Sequence, residues 1–228
     1  MSERRCEVCD LGRVRYELVE RLQLQLVAAR RAGLAPDRLL LCEHEPVVTA
    51  GAASDQAELA GLRARLGAAG IPLRRVSRGG RATWHGPGQI VGYPILDLRA
   101  HRPDLHWYLR SLEGAIIDAL GAVGYPAQRC DGFTGVWVSG RKVASIGIAV
   151  RGWVTYHGFA LNLQCDPTVW QLLRPCGLAP EQMASLAALG EVPARASVVA
   201  ALLDALGRRL RLCMVPAAAT ELLASVAF

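Results

Sequence analysis

Cys176 lies in the sequence context that best suits a nucleophile. It stands in the tetrapeptide Arg-Pro-Cys-Gly, between a proline that fixes φ and a glycine that frees it. The pattern predicts an irregular, exposed loop four residues before a helix that begins at Pro180, where the helix N-terminus or a nearby cation would lower the pKa of the thiol. Structural cysteines usually lie inside apolar runs, as Cys42 and Cys213 do. The residues alone leave a reactive and a structural interpretation of Cys176 open.

Lys142 is the only lysine, because 25 of the 26 basic residues are arginines. It opens a predicted strand, on the face shared with Ala144, Ile146 and Ile148. A lysine at a strand end is ordinarily a surface residue. However, a lysine can release its proton near neutral pH, whereas an arginine cannot. A lysine kept at this single position therefore indicates a chemical role.

Residues 78–94 form a segment that is unusually dense in glycine, and we call it the glycine segment. Its five glycines surround Thr83, His85 and Gln89. Glycine is used where the backbone takes a positive φ or approaches a ligand closely, so the segment predicts a binding wall made largely of backbone. A long turn between two strands is the alternative, and His44 stays open between a wall residue and a structural one. The segment is neither a Walker A loop nor a dinucleotide-binding turn.

Length and composition set the broad class. With 228 residues the chain can bury one core, so a single domain spanning residues 1–228 is expected. No apolar run approaches the ~20 residues of a membrane helix, and the polar N-terminus lacks the apolar stretch of a secretory signal. A soluble, cytoplasmic protein without membrane contact is expected.

The net charge of +6 and isoelectric point near 9.2 favour acidic partners. However, the arginines are dispersed and no nucleic-acid-binding motif is present, so nucleic acid is not expected as a partner.

The seven cysteines are scattered through a chain without an export signal, which predicts reduced thiols. Cys6 and Cys9 form a C-x-x-C pair of the kind that binds metals or does redox chemistry. No second pair follows at zinc-finger spacing, and the N-terminal segment is predicted to fray. The pair is therefore interpreted as incidental, and no metal site is expected.

Hydrophobic periodicity places the motifs on a mixture of helices and strands. Helices are predicted over residues 14–31, 55–70, 105–123, 180–189 and 197–211. Strands are predicted over residues 38–43, 47–51, 73–77, 90–98, 136–138, 142–150 and 153–163. Helices that flank a strand-rich middle are typical of an α+β fold with a central mixed sheet.

Several segments carry motifs that occur together in one family. They are L-C-E-H-E-P-V-V-T-A-G at residues 41–51, R-G-G at 78–80, H-G-P-G-Q at 85–89, G-V-W-V-S-G-R-K-V-A-S-I-G at 135–147, H-G-F-A-L-N at 157–162 and P-C-G at 175–177. Together they resemble the octanoyltransferases of lipoate biosynthesis, which belong to the biotin/lipoate protein ligase superfamily. The resemblance covers about residues 38–190 and implies that superfamily's catalytic-domain fold.

The resemblance also implies a set of site residues. Cys176 would form the acyl thioester, and Lys142, in the R-K-V-A motif, would lower the pKa of its thiol. His85 and His157 are expected to line the same pocket, without an assigned role. The implied substrate-binding residues are Arg78, Gly79, Gly80, Arg81, Ala82, Thr83, Trp84, His85, Ser145, Ile146, Gly147, Gly158, Phe159 and Ala160.

The implied activity is that of a lipoyl(octanoyl) transferase, an acyltransferase in the first step of endogenous protein lipoylation. It would move an octanoyl group from octanoyl-acyl carrier protein to a lysine of the lipoyl domains of 2-oxo acid dehydrogenases and of the glycine cleavage H protein. A thiol is both a good nucleophile and a good leaving group, so a Cys176 acyl-enzyme would divide the transfer into two steps. Backbone N–H groups of the glycine segment would stabilise the oxyanion. No cofactor and no metal are expected, and the protein is expected to be a monomer.

Two other functions remain as alternatives. An ATP-dependent lipoate or biotin protein ligase would form an acyl adenylate and would not need Cys176, whereas its binding lysine lies in a strand related to that of Lys142. A non-catalytic carrier-binding module would need neither residue, so their joint presence argues against it. Val48 and Ala184 depart from the residues expected in the family, which leaves the preferred acyl length open.

Overall fold

The computed structural model of the chain describes residues 4–173 and 178–224. Strands in chain order are β1 Arg4–Val14, β2 Asp37–His44, β3 Val47–Ala50, β4 Leu73–Arg75, β5 Ala82–His85, β6 Gln89–Ile95, β7 Ala127–Cys130, β8 Phe133–Val138, β9 Arg141–Arg151, β10 Val154–Asn162 and β11 Leu212–Pro216. The α-helices are α1 Tyr16–Arg31, α2 Gln56–Ala68, α3 Leu105–Ala122, α4 Arg195–Leu210 and α5 Thr220–Ala224.

Eight of the strands form one mixed sheet, in the order β11-β1-β2-β6-β10-β9-β8-β7. The strand β1 is parallel to both of its neighbours, and the pairs from β2–β6 to β8–β7 are antiparallel. A smaller sheet has the order β4-β3-β5 and includes part of the glycine segment. The predicted α+β fold with a central mixed sheet is therefore confirmed.

Helices α3 and α4 cover one face of the large sheet. The α3 stripe of Leu112, Ile116 and Leu120 and the α4 stripe of Val198, Leu202 and Leu206 are buried in one apolar cluster. As predicted, the carboxylate of Asp104 caps α3 by accepting a hydrogen bond from Trp107 N at 2.9 Å. This layer supports β8 and β9 from behind.

Helix α1 covers the opposite face of the sheet. Its residues Leu22 and Leu26 are buried with Leu40, Val91 and Tyr93 from β2 and β6. The stripe was predicted, but the helix begins at Tyr16 rather than at residue 14 because the preceding residues belong to β1.

The N-terminal segment is a correction to the predicted fold. Strand β1 is an interior strand of the large sheet, between β11 and β2, and is not frayed. Cys6 and Cys9 are 0% and 1% exposed, on the α3 and α1 sides respectively, and burial raises the pKa of both thiols. Both residues act as small apolar core residues, a role in which cysteine is common.

The segment after Cys176 is a second correction. Between residues 178 and 194 there is no α-helix, only two short 3-10 turns, Pro180–Gln182 and Leu186–Ala188. Met183 between them is extended, with ψ 147°, because it forms a β-bridge with Lys142. The helix dipole expected to act on residue 176 is therefore missing from this described stretch.

None of the helices within residues 4–173 and 178–224 is long and apolar enough to cross a membrane.

Candidate functional site

A cavity lies between the large sheet, α1 and the glycine segment, and we call it the central cavity. It holds about 450 Å³ of empty space, a volume that includes open solvent at its mouth. Its lining residues are Tyr16, Arg78, Gly79, Gly80, Thr83, His85, Val91, Tyr93, Ser145, Ile146, Gly147, His157, Gly158, Phe159 and Ala160. Three segments distant in sequence, all of them predicted to bind substrate, thus meet around one space.

Three of the predicted binding residues do not line this cavity. Strand β5 alternates, so Thr83 and His85 face the cavity while Ala82 and Trp84 are buried in the apolar cluster beneath α2. The half-exposed side chain of Arg81 lies 3.8 Å from the carboxylate of Glu58. The contiguous binding segment implied by the family resemblance is therefore split by the pleat of a strand.

Arg78 shapes the wall of the cavity. Its guanidinium donates hydrogen bonds to Thr49 O at 2.7 Å, Thr49 Oγ1 at 2.8 Å, Arg81 O at 2.9 Å and Gly79 O at 3.0 Å. The residue is 7% exposed, so these are charge-assisted bonds in a dry environment. The side chain therefore fixes the curvature of the glycine segment around the cavity.

The glycine segment closes against β9 at one end of the cavity. Gly79 N donates to Ile148 O at 3.0 Å. A Cβ on Gly147 would lie 2.9 Å from Arg78 Cδ and 3.0 Å from Gly79 O, so this approach requires glycine. Gly147 therefore governs how closely the wall approaches the sheet.

Gly158 is needed for a different reason. A Cβ there would lie 2.2 Å from Gly92 O on the neighbouring strand β6, which is a clash with backbone. Gly92 is also required to be glycine, because the ring of Phe159 lies over it. A Cβ on Gly92 would be 2.3 Å from Phe159 Cζ. Although Gly158 lines the cavity, its missing side chain allows strand packing and does not itself enlarge the cavity.

His157 lines the same end of the cavity with an unusual backbone. Its φ is 54°, a left-handed conformation uncommon for residues other than glycine, and its N–H donates to Gln23 Oε1 at 2.7 Å. The Nε2 atom lies 3.3 Å from Ser77 Oγ. Burial, and then the nearby Arg78 charge, lower the pKa of His157 to about 3. The imidazole is therefore neutral at neutral pH.

His85 begins a chain of hydrogen bonds that ends at the backbone of Lys142. Its Nδ1 is 2.8 Å from Gln89 Oε1, Gln89 Nε2 donates to Asn162 Oδ1 at 2.9 Å, and Asn162 Nδ2 donates to Ala184 O at 3.0 Å. Ala184 N donates to Lys142 O at 3.0 Å. Burial, followed by neighbouring charges, holds the pKa of His85 well below 6.5. In this network the neutral ring carries its proton on Nδ1, because Gln89 Oε1 can only accept.

Lys142 is buried, so the surface interpretation is wrong. It is 3% exposed, and its Nζ lies 5.1 Å from the centroid of the Trp137 ring. The predicted alternation is also broken, because Val143 and Ala144 both face the α3 side of the sheet. A register shift in the β8–β9 pair accompanies this change and leaves Lys142 directly opposite Trp137.

Cys176 lies outside the described residues. The described residues on either side, Leu173 and Leu178, are both buried in one apolar cluster with Met183. Met183 forms the β-bridge with Lys142. Leu173 and Leu178 therefore share an apolar cluster with the residue that bridges to Lys142.

The sequence did not identify Tyr16, Val91 and Tyr93 as cavity residues. Tyr16 resembles the first core residue of any amphipathic helix, and nothing in its local pattern marks it. Tyr93 lies in β6, near the end of the glycine segment, and its hydroxyl is 2.7 Å from Nε2 of His44. His44 itself is fully buried, with Nδ1 2.9 Å from Val14 O. Its role is therefore to support the wall rather than to form it.

Among residues 4–173 and 178–224, no group of three or more His, Cys, Asp or Glu side chains could hold a metal ion.

Known proteins similar to this chain point to one family. Residues 16–207 match the family described as the lipoyl protein ligase A/B catalytic domain. The octanoyltransferase of Solibacter usitatus is 46% identical over 206 residues, which are 90% of this chain and 90% of that protein. The octanoyltransferase of Gloeobacter violaceus is 48% identical over 175 residues, 76% of this chain and 77% of that protein.

The fold is shared with more distant proteins. A structure of a bi-partite lipoate protein ligase and its E2 lipoyl domain from Thermoplasma acidophilum matches with a TM-score of 0.74 at 18% identity, over 100% of this chain and 91% of that chain. The sequence relatives are much closer and extend over most of both chains. The chain therefore belongs to the lipoyl protein ligase A/B catalytic-domain family and, within it, to the octanoyltransferases.

Proposed function

We propose that this chain transfers an octanoyl group from octanoyl-acyl carrier protein to a lysine of lipoyl domains through a thioester at Cys176. The acceptors are the lipoyl domains of 2-oxo acid dehydrogenases and the glycine cleavage H protein. The observation that carries the proposal is the burial of Lys142, the only lysine of the chain, at a β-bridge to the segment that follows Cys176. A buried amine at this position can serve a cysteine as a proton acceptor or a counter-ion.

The first step forms the acyl-enzyme. The Lys142 amine takes the thiol proton of Cys176, and the thiolate attacks the carbonyl carbon of the donor thioester. The tetrahedral oxyanion is stabilised by backbone N–H groups. The bond from the carbonyl carbon to the carrier sulfur breaks, and the carrier thiolate receives the proton from Lys142.

The second step forms the amide. The amine of the acceptor lysine attacks the carbonyl carbon of the Cys176 thioester, and the bond to the cysteine sulfur breaks. One amine proton is lost, and Lys142 relays it to the departing thiolate of Cys176, which restores the starting enzyme.

The central cavity holds the acyl chain in this proposal. Its wall over β9 and β10 is formed by Ile146, Gly147, Gly158, Phe159 and Ala160, which are apolar or lack a side chain. The neutral forms of His85 and His157 keep charge out of the same space. Arg81, Ala82 and Trp84 support the wall from outside and do not touch the chain.

Protein substrates with acidic surfaces suit the charge of the enzyme. The net charge of +6 speeds the encounter with acidic carrier domains, and this effect weakens as salt is added. We propose that the enzyme acts in the cytoplasm as a monomer, since a reducing compartment keeps the nucleophilic thiol free.

Intact-mass measurement separates this function from an ATP-dependent ligase. The protein is mixed with octanoyl-acyl carrier protein without ATP. The expected product is a hydroxylamine-sensitive octanoyl adduct that Cys176→Ala abolishes and that Cys213→Ala leaves intact. Cys213 is exposed, so the interpretation of it as a buried structural cysteine is wrong. If instead free octanoate is attached to the acceptor only when ATP is present, and no adduct forms, the chain is a ligase.

A further inference from the structure

Helix α3 carries a carboxylate that is completely buried. Glu113 is 0% exposed and accepts hydrogen bonds from Gly135 N at 3.0 Å, Arg129 Nε at 3.0 Å and Arg110 Nη1 at 2.7 Å. Helical glutamates ordinarily face solvent. This one reaches from α3 to the backbone of β8, the strand next to the one that carries Lys142.

The backbone that Glu113 holds is in direct contact with Lys142. Gly135 has a φ of 129°, and a Cβ there would lie 2.7 Å from Lys142 Cε and 2.4 Å from Ala144 O. The lysine stem therefore packs on the bare Cα of Gly135, while its ammonium nitrogen lies over the ring of Trp137. We call Gly135 and Trp137 the lysine platform.

Stability alone is a weak reason for this buried carboxylate. Removing ions from water offsets much of the attraction between them, so a buried ion pair often adds little net stability compared with an apolar pair. The buried carboxylate does specify geometry, because Glu113 Oε1 gives the Gly135 N–H one acceptor in a fixed position. The irregular pairing between β8 and β9 occurs at the next residues, Val136 and Trp137.

We propose that Glu113 is a positioning residue for Lys142: its carboxylate fixes the Gly135 peptide, and that peptide fixes the stem of the lysine. The inference rests on the proposed function only for its catalytic consequence. Arg110 and Arg129 both pair with the Glu113 carboxylate, and the contact that continues from Glu113 to Lys142 is the Gly135 backbone. We therefore assign the effect on Lys142 to the position of that backbone.

The position of Lys142 can be measured directly by NMR, because it is the only lysine of the chain. Biosynthetic labelling with [¹³Cε]lysine gives a single side-chain signal, and the Trp137 ring, 5.1 Å from Nζ, makes its chemical shift sensitive to position. The variant is Glu113→Gln, in which one amide oxygen replaces two carboxylate oxygens. That oxygen is attracted to the charged Arg110 and Arg129, which leaves the NH2 group facing the Gly135 N–H without an acceptor. The control is Asp118→Asn on the same helix, whose carboxylate accepts hydrogen bonds from Arg209 of α4, from Nε at 2.7 Å and from Nη2 at 2.8 Å.

The expected result is that Glu113→Gln moves the lysine signal toward that of a solvated lysine, while Asp118→Asn leaves it unchanged. An unchanged signal in folded Glu113→Gln overturns the inference. If that variant does not fold, Glu113→Asp keeps the charge but shortens the reach to Gly135, and the same two outcomes apply to it. This measurement needs no substrate, so its result is independent of the proposed acyl transfer.

The catalytic consequence is measured separately as the rate of acyl-enzyme formation across pH. A displaced amine should slow acylation at neutral pH by about tenfold to a hundredfold, as expected when a reacting group is misplaced by about 1 Å, and the loss should shrink at high pH, where Cys176 ionises unaided. Equal, pH-independent losses in Glu113→Gln and Asp118→Asn would reduce Glu113 to a structural role. If the wild-type protein forms no octanoyl adduct, the proposed function is refuted. The NMR signal of Lys142 then still tests whether Glu113 positions the lysine.

Discussion

The wall of the central cavity and the lysine platform each depend on one buried charged side chain, but the charges have opposite signs. At the cavity, Arg78 donates to carbonyl oxygens and curves the glycine segment. At the platform, Glu113 accepts from an N–H and holds a single glycine of a strand. In both regions a buried charge fixes glycine backbone, within its own segment for Arg78 and on a neighbouring strand for Glu113. The two charges differ in what they shape: Arg78 shapes the wall of the central cavity, whereas Glu113, in our proposal, positions the side chain of Lys142.

Lys142→Arg tests the platform most strongly. Arginine keeps the charge but stays protonated, with a pKa above ~12, so acylation at neutral pH should fall by at least ~10²-fold, nearly as far as in Lys142→Ala. The rate of acyl-enzyme formation is measured from neutral to high pH. The control is Arg151→Lys, an exposed position on the same strand. Near-normal acylation by Lys142→Arg would reduce Lys142 to an electrostatic role.

Arg78→Lys tests the cavity wall. A single ammonium cannot reproduce the fork that serves Thr49, Gly79 and Arg81, so we expect the variant to lose about 2 kcal/mol of unfolding free energy. The loss of transfer activity should appear mainly as a higher KM for the octanoyl donor. If kcat falls and KM does not change, Arg78 has a role in the chemistry that the wall geometry does not explain.

Two glycine substitutions separate packing from cavity shape. Gly158→Ala forces a Cβ against the backbone of β6 and should destabilise the fold by about 1–3 kcal/mol. In Gly147→Ala the Cβ would lie 2.9 Å from Arg78 Cδ and 3.0 Å from Gly79 O, a milder overlap than the 2.2 Å at Gly158, so it should narrow the cavity at a smaller cost in stability. Thermal unfolding and rates with octanoyl and butanoyl donors are compared. If Gly147→Ala slows transfer equally with the octanoyl and butanoyl donors, Gly147 does not determine the length of acyl chain that the cavity accepts.

The acid sensitivity of the fold should show an effect that is confined to low pH. Burial lowers the pKa of His44 to about 4 and of His157 to about 3, whereas in the unfolded chain both titrate near ~6.5. The unfolded state therefore binds more protons between these values, so the stability contributed by the neutral rings is complete above pH ~6.5 and is lost as the pH falls. His157→Asn, which tolerates the left-handed backbone, should reduce the slope between pH 6.5 and 4 by up to ~1.4 kcal/mol per pH unit. An unchanged slope in folded His157→Asn would contradict the assignment.

The sequence predicted the elements whose patterns are strong and local. Helix α3, with its Asp104 cap, and the strands β9 and β10, rich in β-branched residues, were found close to their true bounds. Strand β1 was missed because its cysteines, buried on both faces of the sheet, do not form an obvious apolar alternation. The helix predicted at residue 180 failed because the bridge between Met183 and Lys142 holds the chain extended.

The site was predictable where a motif coincides with backbone geometry. Part of the glycine segment lines the central cavity, but the pleat of β5 directs Ala82 and Trp84 away from it. Tyr16 and Glu113 carry no local signal, since each looks like an ordinary helical residue. Their positions follow only from how helices pack against the sheet, which depends on contacts distant in sequence.

The placement of β1 has a consequence for synthesis. It pairs in parallel with β11, so Arg4 lies opposite Leu212 and the two strands join opposite regions of the chain. Pairings this distant in sequence are slow to form, because a long loop must close before any contact compensates for it. During synthesis on the ribosome, the edge of β1 that pairs with β11 stays unpaired until nearly all of the remaining chain has emerged. Until then that edge is open to other chains, so nascent protein should depend on chaperones more than the compact native fold would suggest.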